Sequence, residues 1–352
     1  MILADNNSFQ KKQGKRGVWV AILLFCFLGG CSDQKRQLDF RYSGWTMGTS
    51  FTVKVSQLPD GVEKKRLTEE IDQRLVEIND VMSTYIDHSE LSRLNANSST
   101  DWISISPELF YVISESRRIS ERSSGAFDIT VGPLVNLWGF GPEYSGEKIP
   151  DESEIAAKRT NTGFHHFILR QPPPAIKKDI PNLSLDLSGI AKGYGVDQLA
   201  ELLEREKIQD YLVEVGGEIR IKGRKMGASP WRIAIEKPLV DQRTVQMILE
   251  LSDIGMATSG DYRNYLEKDG QHYSHTIDPT SGYPVTHKLA SVTVLSQSAM
   301  HADAMATAFM VLGPDKGYRL AEAEMLTALF IIKNEKGFIE KATTAFKKLV
   351  EK

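Results

Sequence analysis

The chain has 352 residues, 43 Lys and Arg against 46 Asp and Glu, a formal net charge of −3 and two cysteines. It contains no strongly basic domain, which argues against nucleic acid as a partner. Once an N-terminal leader is set aside, roughly 310 residues remain, enough to bury a substantial core as one large domain or two lobes.

The leader comes first in chain order. Residues 11–16, "KKQGKR", are basic, and the apolar run "VWVAILLFCFL" follows. The run is shorter than the ~20 residues a membrane span needs, and it closes on small residues. The junction "LGGC", ending at Cys31, resembles a bacterial lipobox cut before the cysteine. Residues 1–30 are therefore expected to be a lipoprotein signal peptide, 31–44 a lipid-anchored tether and 45–350 the folded domain. Cleavage would remove four bases (Lys11, Lys12, Lys15, Arg16) and one acid (Asp5), taking the net charge from −3 to −6. Cys26 would leave with the leader and Cys31 would be acylated, which excludes internal disulfides, Cys-ligated zinc and thiol nucleophiles. A lipidated Cys31 implies anchoring to a membrane on the periplasmic side. Ser32, rather than Asp, after the cysteine slightly favours the outer over the inner membrane.

In the body of the chain, "SFTVKVS" (50–56) alternates as a strand. Leu67, Ile71, Leu75, Ile78, Met82 and Tyr85 recur at steps of three and four, which predicts an amphipathic helix over about 62–85. Ser106-Pro107 predicts a helix start, running to about Glu121. "GPEYSGEKIPDESE" (141–154) and "RQPPPAIKKDIP" (170–181) read as polar, Pro-rich connections. "LSLDL" (183–187) reads as an apolar strand entering a helix that continues through Val196, Leu199, Leu202 and Leu203. "YLVEVGGEIRIKG" (211–223) reads as a hairpin turning at Gly216-Gly217. "WRIAIEKP", "TVQMILEL", "SVTVLS" and "ALFIIKN" add strands. Strands and helices mix without a βαβ rhythm, so the fold class is α+β.

Four segments carry more polar and glycine punctuation than folding alone needs. "SGAFDITVGPLVNLWGFG" (124–141) puts an aromatic and an acid before a Gly-Pro break, which a loop entering a helix also explains. "LDLSGIAKGYGVDQLAELLE" (185–204) has glycines at a helix start, where phosphate binds readily, and Lys192 adds charge. Its spacing matches neither common phosphate-loop pattern, and close helix–strand packing is the alternative. In "GMATSGDYRNYLEKDGQHYSHTIDPTSGYP" (255–284), His275 is a candidate base, with a surface or structural histidine as the alternative. Pairing it with His272 as a zinc site has weaker support, since H-E-x-x-H is absent. In "HADAMATAFMVLG" (301–313), Asp303 and Thr307 share a helix face and offer oxygens suited to a hard cation such as magnesium. Asp303 favoured by the helix dipole and Thr307 bonding back to a carbonyl explain the same pair without a ligand.

In order and spacing, "TMGTSFTV", "MSTYIDHSELSRLN", "GAFDITVGPL", "DLSGIAKGYGVD", "VEVGGEI", "ATSGDYRNY", "HTIDPTSGYPV" and "ADAMATAFMVLG" resemble the FAD:protein FMN transferase family, the ApbE-like flavin transferases. The resemblance spans about residues 40–340. It implies a two-lobed α+β fold with flavin in the cleft between the lobes. It further implies transfer of the FMN half of FAD onto a Thr or Ser hydroxyl of an acceptor protein, with Mg2+ and release of AMP. By the same resemblance, flavin contacts fall on Met47, Tyr85, Ala126, Phe127, Asp128, Asp186, Lys192 and Ile277. Metal ligands fall on Gly189 (through its carbonyl), Asp303 and Thr307, and the catalytic role falls on His275. Some members carry a second acid just before the final threonine, where this chain has Ala306. The implied partners are FAD and acceptor proteins such as membrane redox-complex subunits. The alternatives are a Mg-dependent FAD pyrophosphatase, giving FMN and AMP, and a non-catalytic flavin-binding lipoprotein. Asp303, Thr307 and His275 together disfavour storage alone, since binding does not require a base beside a metal.

Overall fold

In the computed structural model, the described residues are 38–143, 149–226, 229–239, 244–261, 265–268 and 271–351. The leader, Cys31 and the first half of the expected tether lie outside them, as do the middle of the 141–154 connection and the side chain of His272. Among the described residues no helix is long and apolar enough to cross a membrane.

The chain opens with strands β1 (Phe40–Thr46) and β2 (Thr49–Val55), joined by a turn at Met47-Gly48. β1 starts inside the stretch expected to be tether, so residues 40–44 belong to the sheet. Helix α1 (Lys64–Met82) buries Leu67, Ile71, Leu75, Ile78 and Met82, the face predicted from spacing. Each such side chain contributes about 1.5–3 kcal/mol of transfer free energy. The helix stops at Ser83, which places Tyr85 on a loop and leaves it 69% exposed.

α2 (Glu90–Ala96), β3 (Trp102–Ser104) and α3 (Pro107–Arg122) follow, and Ser106 caps α3 as predicted by accepting from the Leu109 amide. α4 (Gly132–Leu137) and α5 (Glu152–Arg159) precede β4 (Phe167–Arg170) and β5 (Ala175–Lys178). β5 lies within the stretch expected to be only a connection, and with β3 and β4 it makes a small sheet ordered β3-β5-β4.

"LSLDL" is the other correction. Leu183, Leu185 and Leu187 are buried as a strand's would be, yet the segment joins no sheet. The side-chain amide of Asn95 takes the place of a neighbouring strand. It accepts from the Leu185 amide at 2.8 Å and donates to the Leu185 carbonyl at 2.9 Å.

α6 (Ala191–Arg205) leads to β6 (Tyr211–Val215) and β7 (Glu218–Lys222), the predicted hairpin. Gly216 and Gly217 turn it with φ of +63° and +107°, a region glycine enters without the Cβ penalty. β8 (Trp231–Glu236), β9 (Val245–Leu251), β10 (Ile254–Gly260), β11 (Tyr265–Lys268), β12 (Gln271–Ser274) and β13 (Leu289–Ser296) precede α7 (Ala299–Ala323). β14 (Thr327–Asn334), β15 (Gly337–Ala342) and α8 (Thr344–Val350) end the chain.

The centre is an eight-stranded antiparallel sheet ordered β1-β2-β6-β7-β10-β13-β14-β15. α6 and α7 pack on each other and on this sheet. A separate cluster joins the β8–β9 hairpin to Leu212, Ile219 and Ile221, which alternate with the residues turned toward α6 and α7. Residues Gln37–Lys352 form one compact unit of mixed helix and sheet, an α+β architecture, so the cleft described next lies within a single body.

Candidate active site

Where α6 and α7 meet the sheet, a cleft of about 1230 Å³ opens. Met47, Tyr85, Ala126, Phe127, Asp128, Asp186, Gly189, Lys192, His275, Ile277, Asp303 and Thr307 all line it. The twelve residues singled out in the sequence come from six separate stretches and converge on one cavity.

The two helices bring the charged groups together. Gly193 of α6 lies against the backbone of Ala299 and Met300, where a Cβ would stand 2.4 Å from the Ala299 carbonyl oxygen. That contact lets the Gly193 amide donate to Asp303 Oδ2 at 3.0 Å. Asp303 is 2% exposed, and its Oδ1 lies 3.8 Å from Lys192 Nζ. Thr307 is one turn further along α7. Its Oγ1 is 3.4 Å from Ser259 Oγ and would lie 3.2 Å from a Cβ on Gly189, so the three expected metal positions are neighbours.

The start of α6 faces the same space. Its cap position, Ile190, supplies no side-chain hydrogen bond, and Ser188, Gly189, Ala191 and Lys192 line the cleft. The Ile190 and Ala191 amides donate to the Leu187 carbonyl and the Gly193 amide to Asp303, so the positive end of the helix dipole and the Lys192 ammonium, rather than a set of free amides, favour an anion here. Asp186 Oδ1 accepts from the Ser188 amide at 2.8 Å and holds the approach to this turn.

Asp128 lines the cleft but both of its oxygens are engaged by the protein. Oδ1 accepts from Thr130 N and Oγ1 at 2.8 and 2.7 Å, and Oδ2 accepts from the Phe164 amide at 2.8 Å. Burial raises its pKa against these bonds. Ala126 and Phe127 beside it are buried and supply an apolar wall. Opposite, the Trp138 indole donates to the Gly282 carbonyl at 2.9 Å, tying the "GAFD" side to the "HTIDPTSGYP" loop. Ile277 packs under that loop with Trp138 and Leu134. His275 is partly exposed above it, with the Phe140 ring edge-on at 6.3 Å.

One functional candidate had not been singled out. Glu218, the first residue of β7, is 3% exposed in the cleft wall, and its Oε1 lies 3.4 Å from Lys192 Nζ. Its Oε2 is buried without a hydrogen-bond partner. Strand alternation contains the signal: Glu218 pairs with the buried core residue Val215, so a carboxylate occupies a core-facing position. Burial, together with the nearby Asp303 charge, raises Glu218 above the ordinary carboxyl value, against the opposing pull of Lys192. Burial raises Asp303 too, against the opposing pull of Lys192. Burial alone would lower Lys192, but Asp303 and Glu218 outweigh it and hold the ammonium above the ordinary lysine value.

Ala306 does not line the cleft. It is fully buried in the apolar core, so a carboxylate at that position would face the core of this chain. The second acid near the expected metal position is Glu218.

Fold and site together define an α+β protein whose cleft is built for a phosphate-bearing ligand with an aromatic portion. Residues 47–330 match the ApbE family, and the chain belongs to it. It is 47% identical to a Vibrio cholerae protein named FAD:protein FMN transferase, over 95% of this chain and 98% of that one. The solved structure of the flavin transferase ApbE from Vibrio cholerae superposes with a TM-score of 0.83 at 48% identity, covering 88% of this chain and 98% of that one. The apo flavinyl transferase ApbE of Pseudomonas stutzeri gives a TM-score of 0.81 at 42% identity, covering 88% and 96%.

Proposed function

We propose that this chain moves the FMN half of FAD onto a Thr or Ser hydroxyl of an acceptor protein and releases AMP. The observation that carries this reading is the convergence of the twelve residues on one cleft, in a chain closely similar to FAD:protein FMN transferases. The new bond joins the acceptor oxygen to the FMN phosphorus. The bond that breaks is the bridging P–O bond to AMP. His275 takes the proton from the acceptor hydroxyl as it attacks, a role typically contributing about 10²–10⁴-fold. Phe127 and Tyr85 offer surface for the flavin ring, and Lys192 with the α6 start meets the diphosphate.

The donor set fits a hard cation such as magnesium. Asp303 is a buried carboxylate lining the cleft, Thr307 lies one turn along the same helix in contact with Gly189, and the Thr307 hydroxyl and Gly189 carbonyl would add neutral oxygens. Among the described residues no group of three or more His, Cys, Asp or Glu could hold a metal by itself, which suits a site completed by substrate phosphates and water. When bound, the ion supplies charge neutralisation at the diphosphate and steadies the departing phosphate. Export as a lipoprotein anchored at Cys31 is part of the same proposal, and rests on the leader sequence. Acceptors would then be membrane proteins with domains outside the cytoplasm. A Cys31→Ala variant should fail to take up labelled fatty acid.

The test of the reaction is product analysis after incubating the purified chain with FAD, magnesium and a candidate acceptor domain. An acceptor heavier by one FMN, with AMP released, is the expected result. Free FMN and AMP beside an unmodified acceptor would mark hydrolysis instead. Unchanged FAD would overturn both enzymatic readings and leave storage.

A further inference from the structure

We propose that Glu218 is the counter-ion that takes over Lys192 when a divalent cation claims Asp303, and that it thereby sets how tightly the cleft holds the cation. The inference rests on the cation site proposed above and deepens it. The Lys192 ammonium is shared rather than paired: Glu218 Oε1 lies at 3.4 Å, the Ser188 carbonyl at 3.4 Å and Asp303 Oδ1 at 3.8 Å. Asp303 Oδ2 is already committed to the Gly193 amide. Oδ1, the oxygen open to a cation, is thus the one that faces the lysine. A divalent ion and an ammonium cannot share that oxygen without strong repulsion in so buried a place.

Glu218 is built to resolve this competition. It begins a central strand and is fixed by pairing with Val215, while one of its oxygens stays buried and unpartnered. Leaving such an atom unpaired is costly, and a carboxylate installed only to complete the fold would have both oxygens satisfied. That oxygen leaves Glu218 with spare capacity to accept the ammonium, which its Oε1 already meets at 3.4 Å. The turn before it cradles the lysine stem: a Cβ on Gly216 would stand 3.1 Å from Lys192 Cδ. Lys192 is therefore poised on a flexible side chain between two carboxyl groups held by rigid elements. Glu218 acts here as a positioning residue, through Lys192.

The experiment is a Mn2+ titration followed by electron paramagnetic resonance, on the purified chain without flavin, with thermal unfolding as the check on folding. Glu218→Gln should bind Mn2+ about tenfold more weakly than the unaltered chain, because the lysine then stays on Asp303. Lys192→Met should bind at least as tightly as the unaltered chain. The double variant should return to within about threefold of Lys192→Met, since no ammonium is left to compete. Unchanged affinity in Glu218→Gln would overturn the inference. So would a double variant as weak as Glu218→Gln, which would make Glu218 a ligand in its own right. If Glu218→Gln does not fold, Glu218→Met, close in volume and uncharged, carries the same comparison. Failure of the unaltered chain to bind Mn2+ would remove the cation site itself. Flavin transfer is not read in this assay, so its success or failure is judged separately.

Discussion

Asp197 and Asp303 sit on adjacent helices, α6 and α7, and each reaches across to the other helix. Asp197, 9% exposed, is saturated. Its oxygens accept from Ser298 Oγ at 2.7 Å, the Ala299 and Met300 amides at 3.0 Å each, and Arg220 Nη1 at 2.9 Å. It caps the start of α7 from outside that helix, neutralising amides that no intrahelical carbonyl reaches. Asp303 has one amide and a lysine at 3.8 Å. Two buried carboxylates a short way apart thus differ in what they lack. The first is spent on the fold, and the second, under the proposed function, is the one with an oxygen left for a ligand. The contrast teaches that burial alone does not mark a functional acid, whereas burial with incomplete pairing does.

The contrast yields predictions, the largest first. Asp303→Ala should lower FMN transfer about 10⁴-fold, equivalent to about 5.4 kcal/mol, while urea unfolding shifts by under about 1 kcal/mol. His275→Ala should lose about 10³-fold in kcat while still binding FAD, as measured by flavin fluorescence quenching. Asp197→Ala should invert the pattern. It should cost about 3 kcal/mol in urea unfolding, because it uncaps α7 and leaves Arg220 with the Gln297 carbonyl but no carboxylate, with near-normal transfer per folded molecule.

The smallest effect concerns a third carboxylate, Glu115, at the other side of the α7 start. Burial would raise its pKa, but hydrogen bonds from His301 and Arg118 outweigh burial and pull it down to about 2. A carboxyl lowered on folding stabilises above its unfolded value, ordinarily near 4.5, and that contribution disappears as pH falls toward 2. Glu115→Gln should therefore flatten the loss of stability between those limits, as followed by thermal unfolding across a pH series.

The same contrast explains what was legible in the sequence. Asp303 and Thr307 were readable because both lie on one helix and four residues apart. The faces of α1 and α6 and the Gly216-Gly217 hairpin were readable for the same local reason. The role of Asp197 was not, since its partners Ser298, Ala299 and Met300 lie about a hundred residues away. "LSLDL" misled because its apolar pattern reports burial, while its backbone partner is the distant side chain of Asn95. Tyr85 continued the helical spacing although the helix had ended at Met82. Glu218 was visible as part of a hairpin, but its place opposite Lys192 depends on how α6 packs on the sheet.

Under the proposed function, Asp303 serves chemistry and Asp197 serves structure. The most direct measurement is the mass of an acceptor domain after single-turnover incubation with FAD and magnesium, using equal amounts of folded Asp303→Ala and Asp197→Ala protein. This division of roles predicts an acceptor carrying FMN from Asp197→Ala and an unmodified acceptor from a well-folded Asp303→Ala. A fully flavinylated acceptor from Asp303→Ala would contradict it.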